Sequence, residues 1–179
     1  MAAAVPPAFQ LPATLLSQGF ALRPETEDDL PFLVRLYATT REPELAITGW
    51  SSEQKQGFVV SQFQAQRHHY RTYIADCRFD VLECRGEPFG RLYLASGPTR
   101  LNIVDIALLP EWCGRGIGTS ILRAVMETAE QSGRGVVIFV EKYNPALRLY
   151  RRLGFTEVQD VGMQFEMEWP PAGASTPVS

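Results

Sequence analysis

The chain has 179 residues, the usual size of one domain, and its 45% hydrophobic and 21% charged residues are typical of a soluble globular protein. With 17 basic and 20 acidic side chains, the net charge is −3, so the basic excess of proteins that follow a nucleic-acid backbone is missing. Three scattered cysteines argue against a disulfide framework or a metal site and favour a reducing cytoplasm. No apolar run approaches the roughly 20 residues of a membrane span. We therefore expect neither nucleic acid nor membrane as a partner, and no bound metal.

The predicted organisation is a single domain over residues 18–169. Prolines interrupt the apolar residues of the segment 1–17, and no basic stretch marks a signal peptide, so we expect an unordered lead-in there. Residues 170–179 are rich in proline and small residues and are expected to form a disordered tail.

The first predicted elements are one strand and two helices. Residues 18–23, QGFALR, are typical of a strand that Pro24 stops. Three acids at 27–29, followed by Pro31, indicate a helix start, since both negative charge and proline suit the first turn. The second helix is predicted from Ser52 to about Tyr70.

After the second helix, the sequence pattern changes to short segments that are typical of β-strands. Turn residues divide segment 71–108 into strands of an antiparallel meander. Strand and helix alternate afterwards, with an amphipathic helix over 116–132, a buried strand over 136–140 and a short helix that follows Asn144. A final strand or hairpin covers about 155–169. This order predicts the α/β (α+β) class.

A glycine loop lies between a strand and the amphipathic helix. Residues 114–118 read Gly-Arg-Gly-Ile-Gly, and glycines let a backbone approach a ligand closely. The free amides of the next helix would then meet an anion such as a pyrophosphate. A tight turn that needs glycine only for its geometry is the alternative. A Rossmann fold is excluded, because Thr119 replaces its third glycine and only about sixty residues follow, too few for its βαβ units.

Two sequence blocks carry a family resemblance. PEWCGRGIGTSIL, followed by VEKYNPALRLYRRLGF, resembles the GNAT superfamily of acetyl-CoA-dependent N-acetyltransferases. The resemblance implies a mixed, mostly antiparallel twisted sheet flanked by helices, with a splay between its two central strands. It also implies acetyl transfer from acetyl-CoA to the amine of a small molecule, a protein N-terminus or a lysine. The amine would attack directly in a ternary complex.

The resemblance places coenzyme A on two segments. Its pantetheine arm would lie along the strand edge at Ile106, Ala107 and Leu108, as a peptide adds to a sheet edge. Its pyrophosphate would bind the amides of Cys113, Gly114, Arg115, Gly116, Ile117, Gly118 and Thr119. The sequence departs from the family pattern at Cys113, where Gln or Arg is usual. As a nucleophile, Cys113 lacks a base nearby in the sequence.

Asn144 and Tyr150 each allow two interpretations. Asn144 matches the family amide that touches the pantetheine arm, and it also suits a helix cap; both roles can coexist. Tyr150 matches the family tyrosine that protonates the departing thiolate, a step for which a phenol is suited. The alternative for Tyr150 is a packed helix aromatic.

The proton of the amine needs a recipient. Asp105 lies on the strand that would carry the acetyl group, and Glu141 ends the next strand. Strand alternation groups Asp105 with Leu101 and Ile103 on a core face, unless a bulge changes the alternation. Asn102 stands where histone-type relatives have their base, and an amide cannot serve. Asp105 is therefore the predicted base.

The resemblance also places the acceptor between the two N-terminal helices. The aromatic candidates for this pocket are Trp50, Phe63, Tyr70 and Tyr73, each of which also suits a core position. A non-catalytic acyl-CoA-binding module is the competing hypothesis for the whole chain. A homodimer is also compatible with the sequence.

Overall fold

The computed structural model describes residues 9–170, which form a seven-stranded sheet in the order β1-β2-β3-β4-β5-β7-β6. The strands are Phe20–Pro24 (β1), Cys77–Cys84 (β2), Glu87–Ser96 (β3), Arg100–Leu108 (β4), Gly135–Glu141 (β5), Thr156–Asp160 (β6) and Gln164–Trp169 (β7). Neighbouring strands are antiparallel except β4 and β5, which run parallel. The predicted fold class, the meander and the final hairpin are confirmed.

Within residues 9–170, five α-helices flank this sheet. They are Ala13–Leu16 (α1), Leu30–Ala46 (α2), Ser52–Tyr73 (α3), Ile117–Gln131 (α4) and Leu147–Arg152 (α5). Helices α1, α4 and α5 contribute to one apolar core, and α2 and α3 pack around a second one with Val81 and Leu109. Among the described residues, no helix has the length and apolar character needed to cross a membrane.

The two parallel strands separate after a short paired stretch. Pairing between β4 and β5 runs from Arg100 opposite Gly135 to Ile103 opposite Ile138. The β4 strand continues to Leu108, paired on its other side with β3, whereas β5 continues to Glu141, paired with β7. The predicted splay between the central strands is therefore present.

A bulge in β4 turns Asp105 to the side of the sheet covered by α2 and α3. Tyr93 faces Asp105, but the next residue, Leu94, faces Ile103, so Val104 is the extra residue. Leu101 and Ile103 accordingly belong to the core beneath α4, and Asp105 contacts α3 instead. Asp105 therefore does not share the core face that simple alternation assigns to it.

The expectation for the N-terminal segment is wrong from residue 9 onward. Residues 13–16 form α1, and Phe9, Leu11 and Leu15 are buried in the same core as Phe20. These apolar side chains lose contact with water by packing there, and that burial orders the segment despite its prolines. Residues 1–8 of the expected lead-in and 171–179 of the expected tail lie outside the described residues.

Candidate active site

The glycine loop connects a 3₁₀ turn, Pro110–Trp112, to the start of α4. Gly114 and Gly116 have φ angles of 72° and 79°, in the left-handed region that residues with a Cβ atom rarely adopt. Ile117 follows and is buried in the core. The loop is therefore anchored by one apolar side chain while its backbone stays exposed.

Six consecutive backbone amides of this loop, in residues 114–119, donate to no acceptor within residues 9–170. Helical hydrogen bonding begins with the Ser120 amide, which donates to the Gly116 carbonyl at 3.0 Å. The Cys113 amide is engaged, since it donates to the Pro110 carbonyl at 3.1 Å. Free amides at a helix N-terminus, where the dipole is positive, form an anion site. The structure thus offers six of the seven expected amides.

The Cys113 side chain is turned toward the protein backbone. Its Sγ donates to the carbonyl oxygens of Leu108 and Leu109 at 3.7 and 3.5 Å. Burial raises the pKa of the Cys113 thiol, and the nearby charge of Glu111 raises it further. A thiol held protonated is a poor nucleophile. The geometry therefore argues against covalent catalysis by Cys113.

The splay opens into a cleft of about 580 Å³. Residues of β4 and the C-terminal half of β5 line it, together with residues of α2 and α3. Beyond Ile103, the β4 edge that faces β5 has no strand partner among the described residues. Ile106, Ala107 and Leu108 lie on this edge, and Ile106 and Ala107 line the cleft. Their backbone groups can therefore pair with an extended ligand.

Asn144 lies at the rim of the same cleft, in the turn that precedes α5. Its Oδ1 accepts a hydrogen bond from the Ala146 amide at 2.9 Å. The predicted cap is therefore displaced, because α5 begins at Leu147 and Asn144 stabilises the turn before it. The side-chain amide NH₂ can still donate to a ligand.

Asp105 is held by a buried arginine. Arg91, which is 2% exposed, donates from Nη2 to Asp105 Oδ2 at 2.8 Å and from Nε to Oδ1 at 3.3 Å. The Tyr70 hydroxyl donates to Oδ2 at 3.3 Å. Asp105 lines the cleft and its side chain is 16% exposed. The predicted base is therefore a fixed carboxylate whose two oxygens both accept hydrogen bonds.

Tyr150 is buried on α5, with its ring perpendicular to that of Phe155 at 5.8 Å between centroids. It is absent from the residues that line the cleft. Burial raises the pKa of the Tyr150 phenol, and the negative charge of Asp105 adds to the shift. The phenol therefore keeps its proton at neutral pH.

One cleft wall was not predicted from the sequence. Arg41 of α2 donates from Nη1 to Glu141 of β5 at 3.2 Å and to Glu44 at 3.1 Å, and from Nε to the Tyr37 hydroxyl at 3.2 Å. Arg41 and Glu141 are 100 residues apart in the sequence, and nothing near Arg41 marks it as part of a site. The ion pair links α2 to the end of β5.

The acids of the cleft are paired with arginines, Asp105 with Arg91, and Glu44 and Glu141 with Arg41. Carboxylates engaged in this way present fewer lone pairs to a cation. Within residues 9–170, no three His, Cys, Asp or Glu side chains converge as a metal site requires.

Of the four aromatic residues predicted for the acceptor pocket, Tyr70 lines the cleft. Phe63 is buried in the core between α2 and α3. Trp50 packs against Phe58 at 5.3 Å between ring centroids, and Tyr73 projects outward, 71% exposed. These three are outside the cleft lining.

A family model described as an acetyltransferase (GNAT) domain matches residues 65–157, just over half of the chain. The chain belongs to the GNAT family of acetyltransferases. The matched segment includes the C-terminal part of α3, the splayed strands, the glycine loop and Tyr150, whereas the cleft residues of α2 lie outside it. The resemblance stated from the two sequence blocks is confirmed.

Curated GNAT relatives match part of the chain. An N-alpha-acetyltransferase of Sulfurisphaera tokodaii is 34% identical over an alignment of 106 residues that covers 51% of this chain and 62% of that protein. An uncharacterised N-acetyltransferase of Methanocaldococcus jannaschii is 34% identical over an alignment of 92 residues that covers 46% of this chain and 41% of that protein. The chain thus matches less than two thirds of the length of either relative.

A solved structure shows the same fold. The PaiA N-acetyltransferase from Thermoplasma acidophilum, in complex with coenzyme A, aligns with a TM-score of 0.63 at 17% sequence identity. The alignment covers 84% of this chain and 98% of that one. At this identity, the likeness establishes the GNAT fold.

Proposed function

We propose that the protein transfers an acetyl group from acetyl-CoA to an amine by direct attack in a ternary complex. The observation that carries the proposal is the row of six free amides at residues 114–119, next to the unpaired β4 edge. An anion site beside a free strand edge matches a ligand that has a pyrophosphate followed by an amide-containing arm. Membership of the GNAT family supports the same ligand.

Coenzyme A would bind through backbone groups. The amides of residues 114–119 donate to the pyrophosphate, and the α4 dipole adds to the attraction. The pantetheine arm pairs with the backbone at Ile106, Ala107 and Leu108, and Asn144 donates to it from its side chain. The thioester then lies at the splay, where β4 and β5 separate.

The proposed chemistry assigns the leaving-group proton to Tyr150. Attack by the amine on the thioester carbonyl gives a tetrahedral oxyanion, and its collapse expels the coenzyme thiolate. The Tyr150 phenol is protonated at neutral pH, where its ordinary pKa is about 10. We assign it to donate this proton to the thiolate as the carbon–sulfur bond breaks.

Asp105 is assigned to the acceptor amine. The Oδ1 atom accepts one hydrogen bond in this structure, from Arg91, and an ionised carboxylate oxygen can accept two. An N–H of the amine can occupy the second position and so fix the direction of attack. Since Arg91 and Tyr70 already engage the carboxylate, we assign it to orient the amine and let water carry the proton to the cleft mouth.

The acceptor is an amine of a small molecule, a protein N-terminus or a lysine. The name of the Sulfurisphaera relative, an N-alpha-acetyltransferase, makes a peptide α-amine the first acceptor to test.

The test follows release of free thiol from acetyl-CoA. The panel consists of a tripeptide with a free N-terminus, a lysine peptide with a blocked N-terminus, and spermidine. We expect release above the rate of hydrolysis with at least one amine. Binding of acetyl-CoA in calorimetry with no amine-dependent release across the panel would instead support a non-catalytic acyl-CoA-binding module.

A further inference from the structure

Helix α3 rests on the sheet by an apolar contact in its first half and a polar one in its second. Val59 and Phe63 are its buried apolar residues. Beyond them, four polar side chains face the sheet at helical spacing: Gln66, Arg67, Tyr70 and Arg71. Positions 66 and 70 form one row, and 67 and 71 form a second. A helix fixed by directional hydrogen bonds has a narrowly defined orientation.

The first row belongs to the cleft. Gln66 Oε1 accepts a hydrogen bond from Arg91 Nη2 at 2.9 Å, and the Tyr70 hydroxyl donates to Asp105. Gln66 and Tyr70 line the cleft together with His69, which lies between them on the same helix. This row is the acceptor wall.

The residues of the second row, Arg67 and Arg71, form ion pairs with Glu25 outside the cleft. Arg71 Nη2 lies 2.6 Å and Arg67 Nη2 lies 3.3 Å from Glu25 Oε1, and the Tyr93 hydroxyl donates to Oε2. The Glu25 side chain is 1% exposed, and Glu25 is not among the residues that line the cleft. One buried carboxylate thus joins helix α3 to strand β3.

The two rows are coupled through β3. Arg91 and Tyr93 project from the same face of this strand, and the Arg91 guanidinium lies over the Tyr93 ring at 4.9 Å. Arg67 Nη2 lies between two carboxylates, 2.9 Å from Glu27, whose side chain is 80% exposed, and 3.3 Å from Glu25, which is the buried partner of the two. Neutralising Glu25 would remove the buried charged acceptor that Arg67, Arg71 and Tyr93 share, and would loosen the C-terminal half of α3.

We propose that Glu25 is a positioning residue for acceptor recognition, acting through Arg67, Arg71 and Tyr93 to set the orientation in which α3 presents Gln66, His69 and Tyr70 to the cleft. The inference rests on the proposed function, in which this cleft receives the amine. Coenzyme binding involves the opposite part of the site, the glycine loop and the β4 edge, and is independent of Glu25.

The test compares Glu25→Gln, which removes the charge and keeps the shape, with Glu25→Asp, which keeps the charge. Arg134→Gln is the matched control, since Arg134 is also buried and hydrogen-bonded, to Ser96 and Ser132, but lies outside the cleft lining. For each variant, calorimetry gives the Kd for acetyl-CoA, and thiol release with the best amine of the panel gives KM and kcat. Hydrogen exchange is measured over residues 66–73 and over α4.

For Glu25→Gln we expect the amine KM to rise by roughly tenfold or more, with the acetyl-CoA Kd within about twofold of wild type. Amide exchange should accelerate in residues 66–73 and stay unchanged in α4. Glu25→Asp should recover part of the KM, and Arg134→Gln should leave KM unchanged. If Glu25→Gln does not fold, Tyr93→Phe, which deletes one hydroxyl of the same group, takes its place.

Unchanged KM and unchanged exchange in residues 66–73 would overturn the inference. Equal losses in KM and in acetyl-CoA Kd would also overturn it, because they indicate a general structural role. If wild type binds acetyl-CoA but acetylates no amine of the panel, the proposed function fails, and the exchange measurement alone decides whether Glu25 positions α3.

Discussion

The two halves of the site are built in different ways. The proposed coenzyme half is centred on residues 114–119, one contiguous segment that offers backbone amides. The proposed acceptor half is a set of side chains from α2, α3, β3, β4 and β5, held by buried ion pairs such as Arg91–Asp105. Side chains in the loop can therefore change while the backbone keeps its function, whereas the acceptor half depends on the identity of each partner.

The largest effect is expected at Tyr150, the proposed general acid. Phe in place of Tyr150 keeps the buried ring and deletes the hydroxyl, so the fold and coenzyme binding should be retained. If the phenol protonates the thiolate, kcat for thiol release falls by roughly 10²–10⁴. A changed Kd for acetyl-CoA with unchanged kcat would instead mean that the Tyr150 hydroxyl contributes to coenzyme binding and not to proton transfer.

A large loss of stability is expected in the acceptor half. Arg91→Met leaves the Asp105 carboxylate without its buried cation, which should lower the free energy of unfolding by about 3 kcal/mol. Arg91→Met combined with Asp105→Asn should cost less than the sum of the single changes, because no charge is left unpaired. Urea unfolding of the four proteins measures this coupling, and additive losses would contradict a specific ion pair.

In the coenzyme half, Gly116→Val should weaken acetyl-CoA binding by about a hundredfold or more, through lost amide–phosphate hydrogen bonds. A Cβ at Gly116 meets no atom within 4 Å but occupies the open side of the loop, and the φ of 79° is unfavourable for valine. Gly86→Val is the matched control, with a φ of 82° and equally open surroundings in the β2–β3 turn. Calorimetry should show near-normal affinity for the control, and equal affinities for both variants would reject the loop assignment.

The smallest effect is expected at Cys113. Its amide is engaged with Pro110 and its thiol with backbone carbonyls, so Cys113→Ala should change kcat/KM by less than about threefold. A loss beyond about a hundredfold with coenzyme binding retained would restore the nucleophile hypothesis.

The difference between the halves also explains what the sequence could predict. The glycine loop follows from a short motif, because its residues are neighbours in the chain, and the splay and the role proposed for Tyr150 follow from the family resemblance that the motif carries. The orientation of Asp105 depends on the bulge at Val104, which strand alternation alone does not reveal. Arg91 and Glu25 are ordinary charged residues in the sequence, and their roles arise from partners 14 and 46 residues away.

The most direct test of the central assignment is an amide NMR titration of the wild-type protein with coenzyme A. Downfield shifts of the Gly114, Gly116 and Gly118 amide protons are expected, because these groups gain an anionic acceptor. The amides of Gly86 and Gly133, which also have positive φ angles but lie outside the loop, should stay unchanged. Saturable binding that leaves the three loop amides unshifted would contradict the account, since coenzyme A would then occupy another part of the molecule.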